Sequence, residues 1–209
     1  MKYIISASIL IFSQIGYSFQ QKSYSVGLSY FSQNVYNEIG QGQTGETKFL
    51  GEASYPLSLK YDFAAFGNWF IAPQLTHTFV PRESAGGSTE ITLTHLSFLT
   101  GKNFESYGSA WDWYFGPGIL QQKIKGEGGT VQLLNGSTPT TFAQPGRTVT
   151  TKNVTMNFGS SYKLYKMRLG LDLVFENFFN NEKRTQSLMF SLAYVFGNGL
   201  GSSAGPRVK

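Results

Sequence analysis

Residues 52–63 read EASYPLSLKYDF. Taken as a strand, the stretch sets Ala53, Tyr55, Leu57, Leu59, Tyr61 and Phe63 on one face and Glu52, Ser54, Pro56, Ser58, Lys60 and Asp62 on the other, because successive side chains of a strand point to opposite sides. One of the two faces must be buried. In a soluble sheet the apolar face forms the core, whereas in a barrel that crosses a bilayer the apolar face meets lipid and the charges turn inward.

The same alternation recurs along the chain. Tyr24, Val26, Leu28 and Tyr30 share a phase, as do Trp69, Ile71, Leu75 and Phe79, and Trp111, Trp113, Phe115 and Ile119. Further on, Val154, Met156, Phe158 and Tyr162 do so, then Met167 to Phe175, then Leu188 to Phe196. The segment TEITLTHLSFLTG starts with Ile91 and Leu93 in one phase and continues with Leu96 and Phe98 in the other, which predicts a bulge near His95. Together these make eight strands of about ten residues, an even number at a length suited to a tilted bilayer crossing. Short links near 64–67, 102–108 and 164–166 take turns with long ones at 34–47, 80–88, 125–148 and 177–185.

Composition favours the lipid-facing alternative. Charged residues are 14% of the chain against roughly 25% in soluble domains, and aromatics reach 16%. The polar faces carry Ser, Gly, Thr and Asn, which fit a crowded lumen better than they cover a wet exterior. A net charge of +5 with no basic cluster interleaved with aromatics gives nucleic-acid binding no support. There is no cysteine and hence no disulfide, and a barrel closed by its own hydrogen bonds needs none.

The N-terminus, MKYIISASILIFSQIGYSFQ, has Lys2, an apolar run and a small-x-small triplet Gly16, Tyr17, Ser18, the layout of a cleaved export signal. The expected organisation is therefore a signal peptide at 1–18, a barrel at 19–196 and a flexible tail at 197–209.

On strand count, alternation, loop asymmetry and the final strand Leu188 to Phe196, the chain resembles the small bacterial outer-membrane β-barrels typified by the outer membrane protein A transmembrane domain and outer membrane protein X. The resemblance implies an all-β, eight-stranded, antiparallel up-and-down transmembrane barrel, located integrally in a bacterial outer membrane. It implies outer-membrane lipid and lipopolysaccharide as surroundings, an extracellular ligand at the loops as a candidate partner, and no cofactor or metal. Oligomeric state stays open.

Two sets of residues stand out. Tyr24, Phe63, Trp69, Trp111, Trp113, Tyr162 and Phe196 fall at strand ends beside the short links and form an expected aromatic girdle at one membrane interface. Glu52, Lys60, Asp62, Asp112, Arg168, Asp172 and Glu176 fall on inward faces. An eight-stranded lumen is filled by side chains, so these charges should meet as a plug centred on Arg168, with Glu52, Asp172 or Glu176 as partners. The competing reading is a narrow, charge-selective channel.

Prolines 56, 73 and 117 fall inside expected strands, where each removes a ladder donor. Pro56 and Pro73 would weaken one seam, as a local bend or as a lateral opening for an acyl chain. His95 and Ser97 stand two residues apart, the weak signature of a serine hydrolase or acyltransferase acting on lipid, with Glu90 or Glu105 as orienter. The preferred reading is a non-enzymatic structural or surface-interaction protein acting through its external loops, including the polar stretch 125–148.

Overall fold

The computed structural model describes residues 20–32, 53–65, 67–83, 89–106, 109–135, 138–143, 145–181 and 184–197. The expected export signal at 1–18 and the expected tail beyond Gly197 lie outside the described residues, as do 33–52. No helix is present among the described residues.

Strands β1 (Gln20–Ser32), β2 (Leu57–Ala64), β3 (Trp69–His77), β4 (Arg82–Glu83), β5 (Thr89–Ser106), β6 (Ser109–Gly126), β7 (Thr130–Asn135), β8 (Thr138–Ala143), β9 (Val149–Leu164), β10 (Met167–Glu176) and β11 (Thr185–Gly197) follow one another in the chain. Eight of them form one antiparallel sheet in the order β3-β2-β1-β11-β10-β9-β6-β5, and β5 pairs back with β3 to close it. The result is an eight-stranded up-and-down barrel without a free edge. Strand β4 extends the β5 edge by two residues, and β7 with β8 forms a separate hairpin.

The stretch 125–148, read from the sequence as one long loop, is thus largely ordered sheet: β6 runs to Gly126, the hairpin follows, and β9 starts at Val149. Strands β5, β6 and β9 have 18, 18 and 16 residues, well beyond the 9–11 that a tilted crossing needs. They project past their neighbours at the long-loop end. At the other end the turns are tight. Tyr165 and Lys166 alone join β9 to β10, with Tyr165 at φ 52, and Gly67 takes φ 55 in the β2–β3 turn.

In 53–63 the charged face turns inward. Tyr55, Leu57 and Tyr61 are exposed on the outer surface, while Ser58, Lys60 and Asp62 are buried inside. Ala53 departs from the alternation and is buried beside Ser54, which bridges to Phe31.

Strand β5 corrects the expected bulge near His95. Its register with β3 and with β6 is continuous, so one phase runs the whole length: Ile91, Leu93, His95, Ser97, Leu99 and Asn103 are all buried, and Leu96 and Phe98 are exposed. What changes along β5 is the lumen. Toward the long-loop end it gains an apolar layer, where Leu93 packs with Phe31, Leu120, Val174 and Met189. The phase change in the sequence reflects this apolar stopper rather than a slipped strand. Leu93→Ala should therefore cost about 2–5 kcal/mol as a core truncation, and Leu96→Ala, losing only outer-surface contact, clearly less; urea unfolding in detergent compares them.

The prolines disturb pairing locally. The β2–β3 ladder skips Tyr61 and Asp62 opposite Ala72 and Pro73, and the β5–β6 ladder skips Phe98 and Leu99 opposite Gly116 and Pro117, with no change of register. Each proline lacks the N–H that its seam would use, yet on the other side Pro73 pairs with Phe98 and Pro117 with Met156. Pro56 precedes β2, where its carbonyl accepts a hydrogen bond from the Ser29 N–H at 2.8 Å. Pro56 and Pro73 do not share a stretch of seam.

Candidate functional site

The lumen near the short turns holds the charges. Arg168, on β10, donates to Ser25 Oγ at 2.8 Å and pairs with Asp62, and its guanidinium is 3.8 Å from Asp112. Lys163, on β9, reaches the same two carboxylates, 3.1 Å from Asp112 and 3.6 Å from Asp62. Short polar side chains add further donors. Ser23 donates to Asp62 at 2.9 Å, Ser161 donates to Asp112 at 3.0 Å, and the Asn103 amide also donates to Asp112. Arg168, Asp62 and Asp112 are all at most 3% exposed. Carboxylates so deep in a barrel persist only with cations and donors on their lone pairs.

A second part adjoins it. The Lys60 ammonium lies 3.7 Å from the centroid of the Tyr114 ring and 5.5 Å from that of Phe70, and Tyr114 hydrogen bonds Asp172. The glycine Gly159 makes room here, since a Cβ at that position would overlap both the Tyr114 ring and the Asp172 carboxylate. Lys60, Lys163 and Arg168 offset Asp62, Asp112 and Asp172, three charges against three, so the cluster is neutral. Glu176 is separate, toward the long-loop end, accepting from Ser187 at 2.9 Å and Asn153 at 3.0 Å.

The geometry therefore reassigns the partners of Arg168: Asp62 and Asp112 hold it, not Asp172 or Glu176, and Glu52 lies outside the described residues. Lys163 was missed, although the alternation that puts Ser161 inside puts Lys163 inside as well. Asn103 was missed because it falls in 102–108, expected as a short link, whereas β5 runs on to Ser106 and β6 starts at Ser109.

His95 and Ser97 point into the lumen and are 1% and 2% exposed. The His95 Nε2 contacts Thr155 Oγ1 at 3.0 Å, Glu90 pairs with Lys125 at the surface, and the Glu105 side chain lies outside the described residues. No group of three metal-binding side chains is found among the described residues.

The outer surface is a continuous apolar belt. Leu28, Leu57, Ile71, Phe115, Leu171 and Leu192 are between 37% and 53% exposed. Trp69, Trp111, Trp113, Tyr162 and Phe196 are exposed near the short turns, and Tyr24 stacks between Phe196 and Tyr61, with ring centroids 5.0 and 5.7 Å away. Phe63 stacks on Tyr61 at 6.3 Å, and Trp111 lies 5.9 Å from Tyr162.

A closed eight-stranded barrel, apolar and aromatic outside and ionic inside, is the architecture of the small membrane barrels. Among solved structures the chain is similar to Ail, the attachment invasion locus protein of Yersinia pestis, at 11% identity and a TM-score of 0.46, covering 84% of this chain and 98% of that one. It is also similar to the N-terminal β-barrel domain of Pseudomonas aeruginosa OprF (12%, TM-score 0.40, 85% and 100%) and to Neisserial surface protein A (11%, TM-score 0.43, 83% and 94%). No protein-family model and no curated relative matches the sequence. The architecture stated above rests on the strand pairing itself.

Proposed function

We propose that the protein is an integral barrel of a bacterial outer membrane, with its termini and short turns on the periplasmic side, its long connections outside, and a closed lumen. It acts without catalysis, as a structural or surface-interaction protein whose external segments meet the surroundings. The observation that carries this reading is the inversion of polarity: exposed Leu, Ile, Phe and Trp outside, buried Lys, Arg and Asp inside. A soluble barrel with that exterior would present an apolar surface far beyond what monomers tolerate.

The closed lumen is supported by two layers in series. The neutral ion-pair cluster lies across the periplasmic half, and the layer of Phe31, Leu93, Leu120, Val174 and Met189 lies in the outer half. A path for ions would have to break salt bridges and then wet an apolar layer. The burial of His95 and Ser97 speaks against lipid chemistry at that pair, because an acyl chain in the membrane has no contact with either. Protein purified in detergent and inserted into a planar bilayer should give no discrete current steps, with insertion verified by protease protection. Reproducible steps would establish the narrow channel instead. Ser97→Ala should leave the acylation pattern of the host's outer-membrane lipids unchanged.

A further inference from the structure

Strands β5, β6 and β9 carry a second feature above the belt. Leu96, Ile119 and Val154 stand side by side as its last apolar row. One row further out, on the same outward face, Lys152 stands opposite Gln121. The next row places Lys123 opposite Thr150, and Lys125 follows with its ammonium 3.2 Å from Glu90. Lys123 and Lys152 are exposed, diagonal neighbours across the β6–β9 pair, and have no carboxylate within salt-bridge distance among the described residues.

Beside Lys152 the belt rises into an aromatic stair. The Asn177 N–H donates to the Val154 carbonyl at 2.9 Å, which ties the β10–β11 turn to β9. From there Phe158 contacts Phe175 at 5.7 Å, Phe175 contacts Phe178 at 6.3 Å, and Phe178 contacts Phe179, itself 87% exposed, at 5.4 Å. The Arg184 guanidinium lies 5.3 Å from the centre of the Phe178 ring and donates to the Phe178 carbonyl at 2.9 Å. Apolar steps below and cations directly above match an amphiphile with acyl chains and a negatively charged headgroup.

We propose that Lys123 and Lys152, flanked by the Phe158–Phe179 stair and Arg184, bind the phosphates of a phosphorylated glycolipid of the outer leaflet, the lipid A part of lipopolysaccharide. The inference rests on the membrane reading and deepens it. Cations just outside an apolar belt attract anionic headgroups by about 1 kcal/mol each, and the acyl chains lie along phenylalanines that already face lipid. Continuity of the two surfaces at Val154 selects a lipid over a soluble anion, which would gain nothing from the stair.

The test uses the detergent-purified protein, lipid A bearing both phosphates, dephosphorylated lipid A and inorganic phosphate, with bound lipid counted by native mass spectrometry. Lipid A should be retained, and Lys123→Gln with Lys152→Gln should weaken retention by about thirty-fold, while Lys123→Arg with Lys152→Arg preserves it. Lys102→Gln should change nothing, since Lys102 faces outward at the opposite rim between Trp69 and Trp113. Equal retention of dephosphorylated lipid A, equal loss in the Lys102 variant, or displacement by millimolar phosphate would each overturn the proposal. Embedding of the belt is read independently from Trp113, so a barrel that sits in lipid but ignores lipid A phosphates defeats this site alone.

Discussion

Replacing Arg168 with methionine should lower the unfolding free energy by about 3–5 kcal/mol, because it leaves two buried carboxylates with one cation between them. Asp62 loses its closest partner, Asp112 keeps Lys163 at 3.1 Å, and Ser25 loses its donor. Arg168→Lys should cost less, since it restores the charge but not the fork that reaches Ser25 and Asp62 together. Reversible urea unfolding in lipid vesicles measures both. Removing Asp62 and Arg168 together, as Asp62→Leu with Arg168→Met, should recover part of the loss, since no unpaired charge then remains from that pair. A change of less than about 1 kcal/mol in Arg168→Met would mean that the pair is hydrated rather than sealed.

The second large effect is on the outside. Leu171 sits in the belt between Ser160 and Phe190 and is 43% exposed. In lipid, Leu171→Arg should destabilise the barrel by about 2–4 kcal/mol, the cost of a guanidinium near the bilayer midplane. On a soluble barrel the same change is a surface substitution worth roughly 0.5 kcal/mol or less. The substitution therefore separates the two meanings of the alternation in EASYPLSLKYDF. Unfolding in vesicles of matched thickness gives the answer, with Lys123→Leu, above the belt, as a control that should move stability little.

Much of this architecture was legible in the sequence, because a two-residue period survives any tertiary context in which one face is apolar. It places Tyr55, Leu57, Lys60 and Asp62 on their correct faces, and likewise Arg168 and Asp172 on β10. It does not say which charges meet. Arg168 and Asp62 are 106 residues apart, and their contact depends on how the strands stagger when β3 closes onto β5. The partner expected from proximity on one strand, Asp172, is engaged by Tyr114 instead.

The misreading of β5 has a different cause. Its apolar residues change phase because an apolar layer interrupts the polar lumen along its length, and a pattern argument that assumes one kind of interior turns that change into a bulge. The protruding ends of β6 and β9 were hidden for a related reason. Beyond the belt both faces are mixed, so GlnGlnLysIleLys after Leu120 has no clean alternation to mark it as strand.

The central claim, that the apolar face of this barrel meets lipid, is most directly tested by the tryptophans. Trp69, Trp111 and Trp113 are all on the outer face near the short turns, and Trp113 is 61% exposed. Protein in vesicles containing lipids brominated along their acyl chains should lose most of its tryptophan fluorescence, and a water-soluble quencher such as acrylamide should have little effect. Strong acrylamide quenching with no response to brominated lipid would place those rings in water and contradict the account.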